Sequence, residues 1–411
     1  MKTIFMYLKQ IAGFLLVTIV ASSVFAQDRL NCPKIRNDQR PALLFVEGPV
    51  EKSNLCVAYF DGKTVYNEKI VSAKYLLVTQ LDNAVFLVSA KDSSTKGKIY
   101  AIDLGRGITK LLAESTRVHC LRSEPRRKTA MLVDANMGIG EVRLIELNLA
   151  NLETTLRHTL KKELLGDRFN GIGPRMKLSP DFKHIVYASR KSDKVPELWS
   201  EYILRVLDLS TMKIEDLDNN VGVQISVISS IGRGRPPFEW IKDDEVLYQH
   251  VVPNKPNEIS EPARQALNIF KSVNIKTKKV MELFRKELRL TLDGGSLQAN
   301  PLNGQLIHNK KWVLNLRKKT FTAKDLPFSI VTNRSTKQIQ VLSERDVLYS
   351  GSARCVGCCV SPSGKNFAYS LRPKPRSLAV EVYAKVQGLP EPIKVTEGPS
   401  WATTGAIAWI E

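Results

Sequence analysis

The chain has 411 residues, of which 43% are hydrophobic, so it is long and apolar enough to bury a sizeable core. Its 61 lysine and arginine residues outnumber its 41 aspartate and glutamate residues, which gives a net charge of +20. The six cysteines and the lack of long low-complexity tracts exclude a disordered chain, a disulfide-dense miniature scaffold and a repetitive fibre. The sequence therefore indicates a globular protein.

Residues 1–26 are typical of a secretory signal peptide. Lys2 and Lys9 precede an apolar run over 11–20, and Val24 and Ala26 are small enough to precede a signal-peptidase cut. The run is too short to cross a hydrocarbon layer of roughly 30 Å comfortably, and an N-terminal membrane anchor is the alternative. Cleavage removes both lysines and no acid, so the net charge falls from +20 to +18. We expect an exported protein, in a bacterial periplasm or the medium, with no transmembrane segment after processing.

A degenerate sequence repeat runs along the rest of the chain. Its clearest copy is 178–188, where Ser-Pro-Asp feeds an apolar run, followed by 202–213. A second copy is 360–370 with 379–383, and a third is 238–248 with 268–279. Each copy predicts four strands joined by turns, with proline and glycine at turn positions.

The spacing of the copies predicts the fold. The first apolar residue of each predicted second strand serves as an anchor, and successive anchors lie 40 to 61 residues apart. Such a period with four short strands is typical of propeller blades, which bury their faces by stacking on neighbours. We therefore predict an all-β propeller over 41–411 preceded by a tail over 27–40, with short helices as alternatives at 152–165 and 282–292. The anchors are Leu43, Val85, Ala130, Ile185, Val246, Leu306, Phe367 and Ile407.

The two ends of the predicted propeller complement each other. The last copy, 401–411, has room for only one or two strands, and the first blade lacks a leading strand before Pro41. Pairing of the two segments would close the ring and leave no sheet edge exposed. We predict seven four-stranded blades, with six or eight as alternatives.

Three segments carry a family resemblance. Leu-Ser-Pro-Asp at 178–181, Val-Ser-Pro-Ser-Gly-Lys at 360–365 and Val-Leu-Asp-Leu-Ser-Thr at 206–211 resemble the repeat of TolB-type (WD-like) β-propellers. In that family the inner strand ends in Ser-Pro-Asp-Gly and a later strand carries Asp-x-x-Thr-Gly. The resemblance implies a propeller fold and a non-enzymatic periplasmic protein that binds other envelope proteins. We expect no separate α/β domain of the kind that precedes the propeller in TolB-type proteins, since 27–40 is too short for one.

Catalytic motifs are missing from the sequence. It contains no Gly-x-Ser-x-Gly elbow and no P-loop, so we expect no catalytic residue and no cofactor. The histidines never form a paired metal motif, so we also expect no metal site. The alternative is a metal held by His119, near the start of an inner strand, with His250 and His308 in second strands of neighbouring blades. The resemblance keeps this alternative open, since some TolB-like propellers are metal-dependent polysaccharide lyases.

Five of the six cysteines fall into two groups that the closure would bring near each other, while Cys120, in the third predicted blade, is expected to be free and buried or to pair locally. Cys32 and Cys56 lie early in the chain, and Cys355, Cys358 and Cys359 lead into the last complete blade. In an oxidising compartment disulfides are the default, and a bridge between the groups would close a loop of about 320 residues, worth on the order of 5 kcal/mol. A redox-active pair of Cys355 and Cys358 is the alternative.

Two glycine-rich loops, 171–175 and 232–237, are the best candidates for ligand binding. Flexible glycines before a rigid proline would present Arg175, Arg233 and Arg235 at the mouth of the central channel, where guanidinium groups suit carboxylate, sulfate or phosphate. The alternative is that these loops make tight turns with solvated arginines. Trp199, in a long inter-strand loop, is a candidate sugar- or protein-contacting residue or a packed core residue.

The charge and the predicted export together indicate the class of partner. A basic surface attracts polyanions, but export and the lack of an aromatic-interleaved basic motif exclude a nucleic-acid role. We therefore predict an exported, non-enzymatic propeller that binds an envelope or extracellular protein or an anionic polysaccharide. The alternatives are a metal-dependent polysaccharide lyase and a structural component of a surface assembly.

Overall fold

The structure is a computed structural model, and the expected signal peptide lies outside the residues that it describes. The described residues are 30–48, 52–61, 64–92, 97–114, 118–136, 140–161, 176–190, 199–224, 238–253, 265–289, 297–299, 306–308, 312–316, 320–323, 328–333, 338–343, 346–351, 354–372, 380–396 and 406–411.

These residues form antiparallel sheets, which confirms the predicted all-β propeller. Strands are numbered in chain order and sheets from the N-terminus. Sheet 1 contains β1 (Ala42–Glu47), β2 (Ser53–Asp61), β3 (Thr64–Ala73) and β31 (Ala406–Ile410). Sheet 2 contains β4 (Tyr75–Gln80), β5 (Val85–Lys91), β6 (Gly97–Asp103) and β7 (Ile108–Ala113). Sheet 3 contains β8 (Val118–Glu124), β9 (Thr129–Asn136), β10 (Glu141–Asn148) and β11 (Thr154–Lys161).

The remaining sheets continue the same order. Sheet 4 contains β12 (Met176–Leu178), β13 (His184–Arg190), β14 (Trp199–Asp208) and β15 (Ile214–Gln224). Sheet 5 contains β16 (Phe238–Lys242), β17 (Glu245–Pro253), β18 (Gln265–Asn274) and β19 (Val280–Arg289). Sheet 6 contains β20 (Leu297–Ala299), β21 (Leu306–His308), β22 (Trp312–Asn315) and β23 (Thr320–Ala323). Sheet 7 contains β24 (Phe328–Asn333), β25 (Gln338–Ser343) and β26 (Asp346–Gly351). Sheet 8 contains β27 (Arg354–Val360), β28 (Phe367–Arg372), β29 (Glu381–Lys385) and β30 (Ile393–Lys394). Two short 3-10 helices span Asn37–Gln39 and Pro125–Arg127.

The described residues form eight sheets, so the expected count of seven blades is not confirmed. Seven anchors lie in the second strands of sheets 1–6 and 8, and Ile407 lies in β31. Sheet 7 has no anchor because it falls, together with most of sheet 6, within the 61 residues from Leu306 to Phe367. The strands of sheet 6 are only three or four residues long, so two sheets fit where the spacing indicated one.

The two helical alternatives are wrong over the described residues. Residues 154–161 form β11, which pairs with β10, and residues 280–289 form β19, which pairs with β18. Both are the fourth strands of their sheets, and many of their residues are exposed. In a polar outer strand, apolar and polar residues alternate only weakly. The sequence pattern of such a strand is therefore easily mistaken for that of a helix.

The Ser-Pro segments form one kind of turn in two sheets. In sheet 4 the Oγ of Ser179 accepts a hydrogen bond from the backbone N–H of His184 at 2.9 Å. In sheet 8 the Oγ of Ser361 accepts one from the backbone N–H of Asn366 at 3.1 Å. In both sheets the serine accepts a hydrogen bond from the backbone N–H five residues later. The sequence repeat therefore corresponds to a repeated turn, which each serine fixes between the first and second strands of its sheet.

A second turn recurs between the third and fourth strands of sheets 2–5. There a side-chain oxygen at the end of the third strand accepts a hydrogen bond from the backbone N–H two or three residues later, and the fourth residue after the acceptor has a positive φ. The acceptors are Asp103, Asn148, Asp208 and Asn274, and the positive-φ residues are Gly107, Leu152, Met212 and Lys278. The Asp-x-x-Thr signal, seen in one copy of the sequence, therefore marks a turn made four times.

Apolar clusters lie between neighbouring sheets. Described clusters join sheet 8 to sheet 1 and then each successive pair up to sheets 5 and 6. Strand β1 is buried on both faces, since Leu43 and Phe45 pack towards sheet 8 while Leu44 and Val46 pack towards sheet 2. Burial on both faces explains why the strand reads as a continuous apolar run.

Strand β31 closes the propeller as predicted. It pairs antiparallel with β1, with Leu43 opposite Trp409, so the end of the chain supplies the first strand of sheet 1 and the N-terminal region supplies the other three. The first strands of neighbouring sheets also contact each other in the pairs β8/β12, β12/β16, β16/β20 and β27/β31. These strands form the inner edge of the propeller. Within the ranges given above, no helix has the length and hydropathy needed to cross a bilayer.

Candidate functional site

The two ends of the propeller differ in the connections that they carry. The turns between first and second strands lie at one end, here called the turn end, and the connections from each sheet to the next lie at the other, here called the loop end. Arg175, Arg233 and Arg235 lie outside the described residues, and so does the side chain of Trp199, whose backbone begins β14. Segments 162–175 and 225–237 lead directly into β12 and β16.

Three charged residues occupy matching positions on adjacent inner strands. Arg122 in β8, Lys177 in β12 and Glu239 in β16 each pair with the residue that follows the repeat anchor of the second strand. Because β12 contacts both β8 and β16, the three side chains meet where sheets 3, 4 and 5 adjoin.

Ion pairs connect this inner-edge cluster. Lys177 Nζ lies 2.6 Å from Glu239 Oε2, and Arg122 Nη1 lies 4.0 Å from Glu239 Oε1. Arg122 Nε also lies 2.5 Å from Glu124 Oε1. Glu239 is only 3% exposed, and a carboxylate buried to that extent needs cationic partners. Among the described residues, this cluster contains two cations and two anions, and their ion pairs hold three sheets together.

An indole ring fixes the same junction. Trp240, 2% exposed, donates from Nε1 to the backbone oxygen of Lys177 at 2.8 Å. The backbone of β12 is thereby held against β16, immediately after the two arginine-bearing segments end.

No sequence motif predicts this cluster. Arg122, Lys177 and Glu239 lie far apart in sequence, and no motif contains them. A usable signal was nevertheless present, because each stands at the same register position relative to its anchor. A column of charged residues at one repeat position predicts contact between neighbouring blades.

The histidines of the metal alternative are on three sheets. His119 lies in β8, the first strand of sheet 3, and His250 and His308 lie in the second strands of sheets 5 and 6. Burial and the nearby charge of Lys91 lower the pKa of His119. Within the described part of the chain, no three or more histidine, cysteine, aspartate or glutamate residues are grouped so that they could hold a metal.

The cysteines lie partly where the closure prediction requires. Cys56 and Cys359 both border the apolar cluster between sheets 8 and 1. Cys32 donates from Sγ to the backbone oxygen of Asp103 at 3.7 Å. Burial, with a smaller contribution from Cys358, raises the pKa of the Cys359 thiol. The side chain of Cys355 lies outside the described residues, so a disulfide across the closure stays a prediction.

Comparisons with known proteins return structures only. No family model matches the chain, and neither does any curated protein. Among solved structures, TolB from Acinetobacter baumannii is 12% identical, with 92% of this chain and 68% of that chain covered and a TM-score of 0.33. The β-propeller domain of the Trilobed protease from Pyrococcus furiosus is 11% identical, with 79% and 99% covered and a TM-score of 0.40. Puromycin hydrolase is 14% identical, with 91% and 54% covered and a TM-score of 0.38. At these values the propeller assignment rests on the sheets of this chain.

Proposed function

We propose that this protein is an exported, non-enzymatic β-propeller that binds an envelope or extracellular protein or an anionic glycan at its loop end. One observation carries the proposal: β12 and β16, which begin directly after the two arginine-bearing segments, contact each other at the inner edge. Arg175, Arg233 and Arg235 therefore lie in the sequence just before two strands that contact each other.

The charges favour an acidic partner. At this junction the described charges of Arg122, Lys177, Glu124 and Glu239 balance, so the arginines of the two segments add positive charge to a neutral base. Guanidinium groups bind carboxylates and sulfates through paired hydrogen bonds. The net charge of +18 that remains after cleavage would speed the encounter with a polyanion, in a salt-dependent way.

Export and the lack of catalysis are proposed from the sequence. The pattern of residues 1–26 supports cleavage after Ala26 and release into the periplasm or medium. The lack of catalytic motifs supports a binding role rather than an enzymatic one. Because export separates the protein from nucleic acids, we propose that its partners are envelope or extracellular molecules.

The proposal predicts salt-sensitive retention of an envelope component. Protein lacking residues 1–26 is immobilised and exposed to separate protein and polysaccharide fractions of an envelope extract. The triple variant Arg175→Ala/Arg233→Ala/Arg235→Ala should retain at least about fivefold less of the bound component, since each lost ion pair removes a fraction of a kcal/mol or more.

Arg126→Ala is the matched control, because Arg126 is exposed at the turn end and its loss changes the net charge without touching the loop end. The control should retain as much as the unchanged protein. The proposal is overturned if neither fraction is retained, or if Arg126→Ala reduces retention as much per charge as the triple variant does.

A further inference from the structure

Tyr75 and Leu77 are exposed, unlike the large apolar residues of the first strands of sheets 4 and 5. Both lie in β4, the first strand of sheet 2, and they are 50% and 53% exposed. In the first strands of sheets 4 and 5, by contrast, Met176, Phe238 and Trp240 are at most 2% exposed. Two exposed apolar side chains that lie close together on one strand form a candidate contact surface for a ligand.

Two lysines flank the tyrosine. Lys74 Nζ lies 5.7 Å from the centroid of the Tyr75 ring, and Lys91 stands opposite Tyr75 in the β4/β5 pairing. The ion pairs between described residues include neither Lys74 nor Lys91. Arg122 and Lys177, by contrast, are paired with Glu124 and Glu239.

These apolar and lysine side chains lie at the loop end of the propeller. Tyr75 is the first residue of β4, Lys91 is the last of β5, and His119, which senses the charge of Lys91, is near the start of β8. These positions are at the same end of the inner edge as the starts of β12 and β16. We call Lys74, Tyr75, Leu77 and Lys91 the sheet 2 patch.

We propose that the sheet 2 patch is a subsite for an acidic polysaccharide in which sugar rings carry carboxylates. The inference rests on the proposed function and commits it to one class of partner. The Tyr75 ring and Leu77 would cover the apolar C–H face of one sugar, while the ammonium groups of Lys74 and Lys91 bind the carboxylates beside it. Each sugar unit of such a polymer has an apolar ring face and a carboxylate. These two features match the apolar side chains and the ammonium groups of the sheet 2 patch.

Binding of polygalacturonate oligomers, measured by isothermal titration at two salt concentrations, tests the subsite. Tyr75→Ala should weaken binding by about tenfold, the equivalent of roughly 1.4 kcal/mol. Lys74→Gln/Lys91→Gln should weaken binding at low salt and reduce its salt dependence. Tyr66→Ala is the matched control, because Tyr66 is a similarly exposed tyrosine, at 56%, on the fourth strand of sheet 1. Tyr66→Ala should bind as the unchanged protein does.

The outcomes separate this inference from the proposed function. If the unchanged protein binds polygalacturonate and Tyr75→Ala binds equally well, the subsite is wrong and the proposed function stands. If the protein ignores polygalacturonate but retains an envelope protein through its loop arginines, the polysaccharide inference falls alone. If it retains nothing from either source, both fall. Far-ultraviolet circular dichroism of each variant checks folding, which the half-exposed position of Tyr75 should leave intact.

Discussion

At the scale of single residues, Ser179 shows how one side chain fixes a repeat. It is fully buried, its Oγ accepts from the His184 N–H at 2.9 Å, and its hydroxyl donates to Asp181 Oδ1 at 2.5 Å. Ser179→Ala removes the buried hydroxyl that accepts the backbone N–H of His184, so the free energy of unfolding should fall by about 1–3 kcal/mol. Urea denaturation measures the change. Ser210→Ala, in an exposed turn, should change it by less than about 0.5 kcal/mol, and equal effects would contradict this account.

Residue chemistry also explains which repeats the sequence revealed. Ser179 and Ser361 lie in clear Ser-Pro segments, and the structure gives them the same bond. Asn148 and Asn274 were not identified because the family signature asks for Asp-x-x-Thr. The turn itself needs only a side-chain oxygen that accepts a backbone N–H, and an asparagine carbonyl serves as well as a carboxylate.

At the scale of elements, β31 is fastened by the residue that follows it. The Glu411 carboxylate accepts hydrogen bonds from the Ser363 N–H at 2.7 Å and from Asn366 Nδ2 at 3.0 Å, and Arg40 Nη1 donates to its backbone oxygen at 2.6 Å. Burial alone would raise the pKa of Glu411, but hydrogen bonds from Ser361, Ser363 and Asn366 outweigh it, so the pKa lies below its usual value of 4.5. The ionised form is therefore the one that holds β31 against the turn of sheet 8.

This difference in pKa predicts a pH-dependent closure. The contribution of Glu411 should be complete above its unfolded pKa of 4.5 and be lost as the pH falls through the lower folded value. Glu411→Gln should reduce the free energy of unfolding by about 1–2 kcal/mol at pH 7, and the gap from the unchanged protein should narrow at pH 3. Denaturant unfolding at both pH values measures the gap. A gap that stays constant would show that the carboxylate charge has no part in closure.

At the scale of the whole molecule, the sequence predicted the all-β propeller and its closure because both depend on local patterns. Anchors, turn residues and the complementary chain ends can be read without knowing any contact. The sequence does not reveal sheet 7, because its three strands carry no Ser-Pro turn. In addition, the strands of sheet 6 are so short that sheets 6 and 7 together span about the length expected of one blade. The inner-edge cluster of Arg122, Lys177 and Glu239 was missed because it depends on register between strands of three sheets.

The two ends of the molecule have different roles in this account. The turn end is occupied by internal bonds, such as those of Ser179 and Glu411, that hold the sheets together. The loop end carries the sheet 2 patch and receives the arginine-bearing segments. A closed, rigid propeller with ligand-binding groups at one end presents them in fixed positions, which reduces the entropy lost on binding.

Amide hydrogen exchange with and without the retained envelope fraction is the measurement that tests this division most directly. If the ligand binds at the loop end, backbone amides at the starts of the inner strands should exchange more slowly in its presence. These segments are 75–78, 118–120, 176–177 and 238–239. No change is expected at the turn-end segments 125–128, 179–183 and 361–365. Protection confined to the turn end, or a bound ligand that protects neither end, would contradict the claim that the loop end is the binding surface.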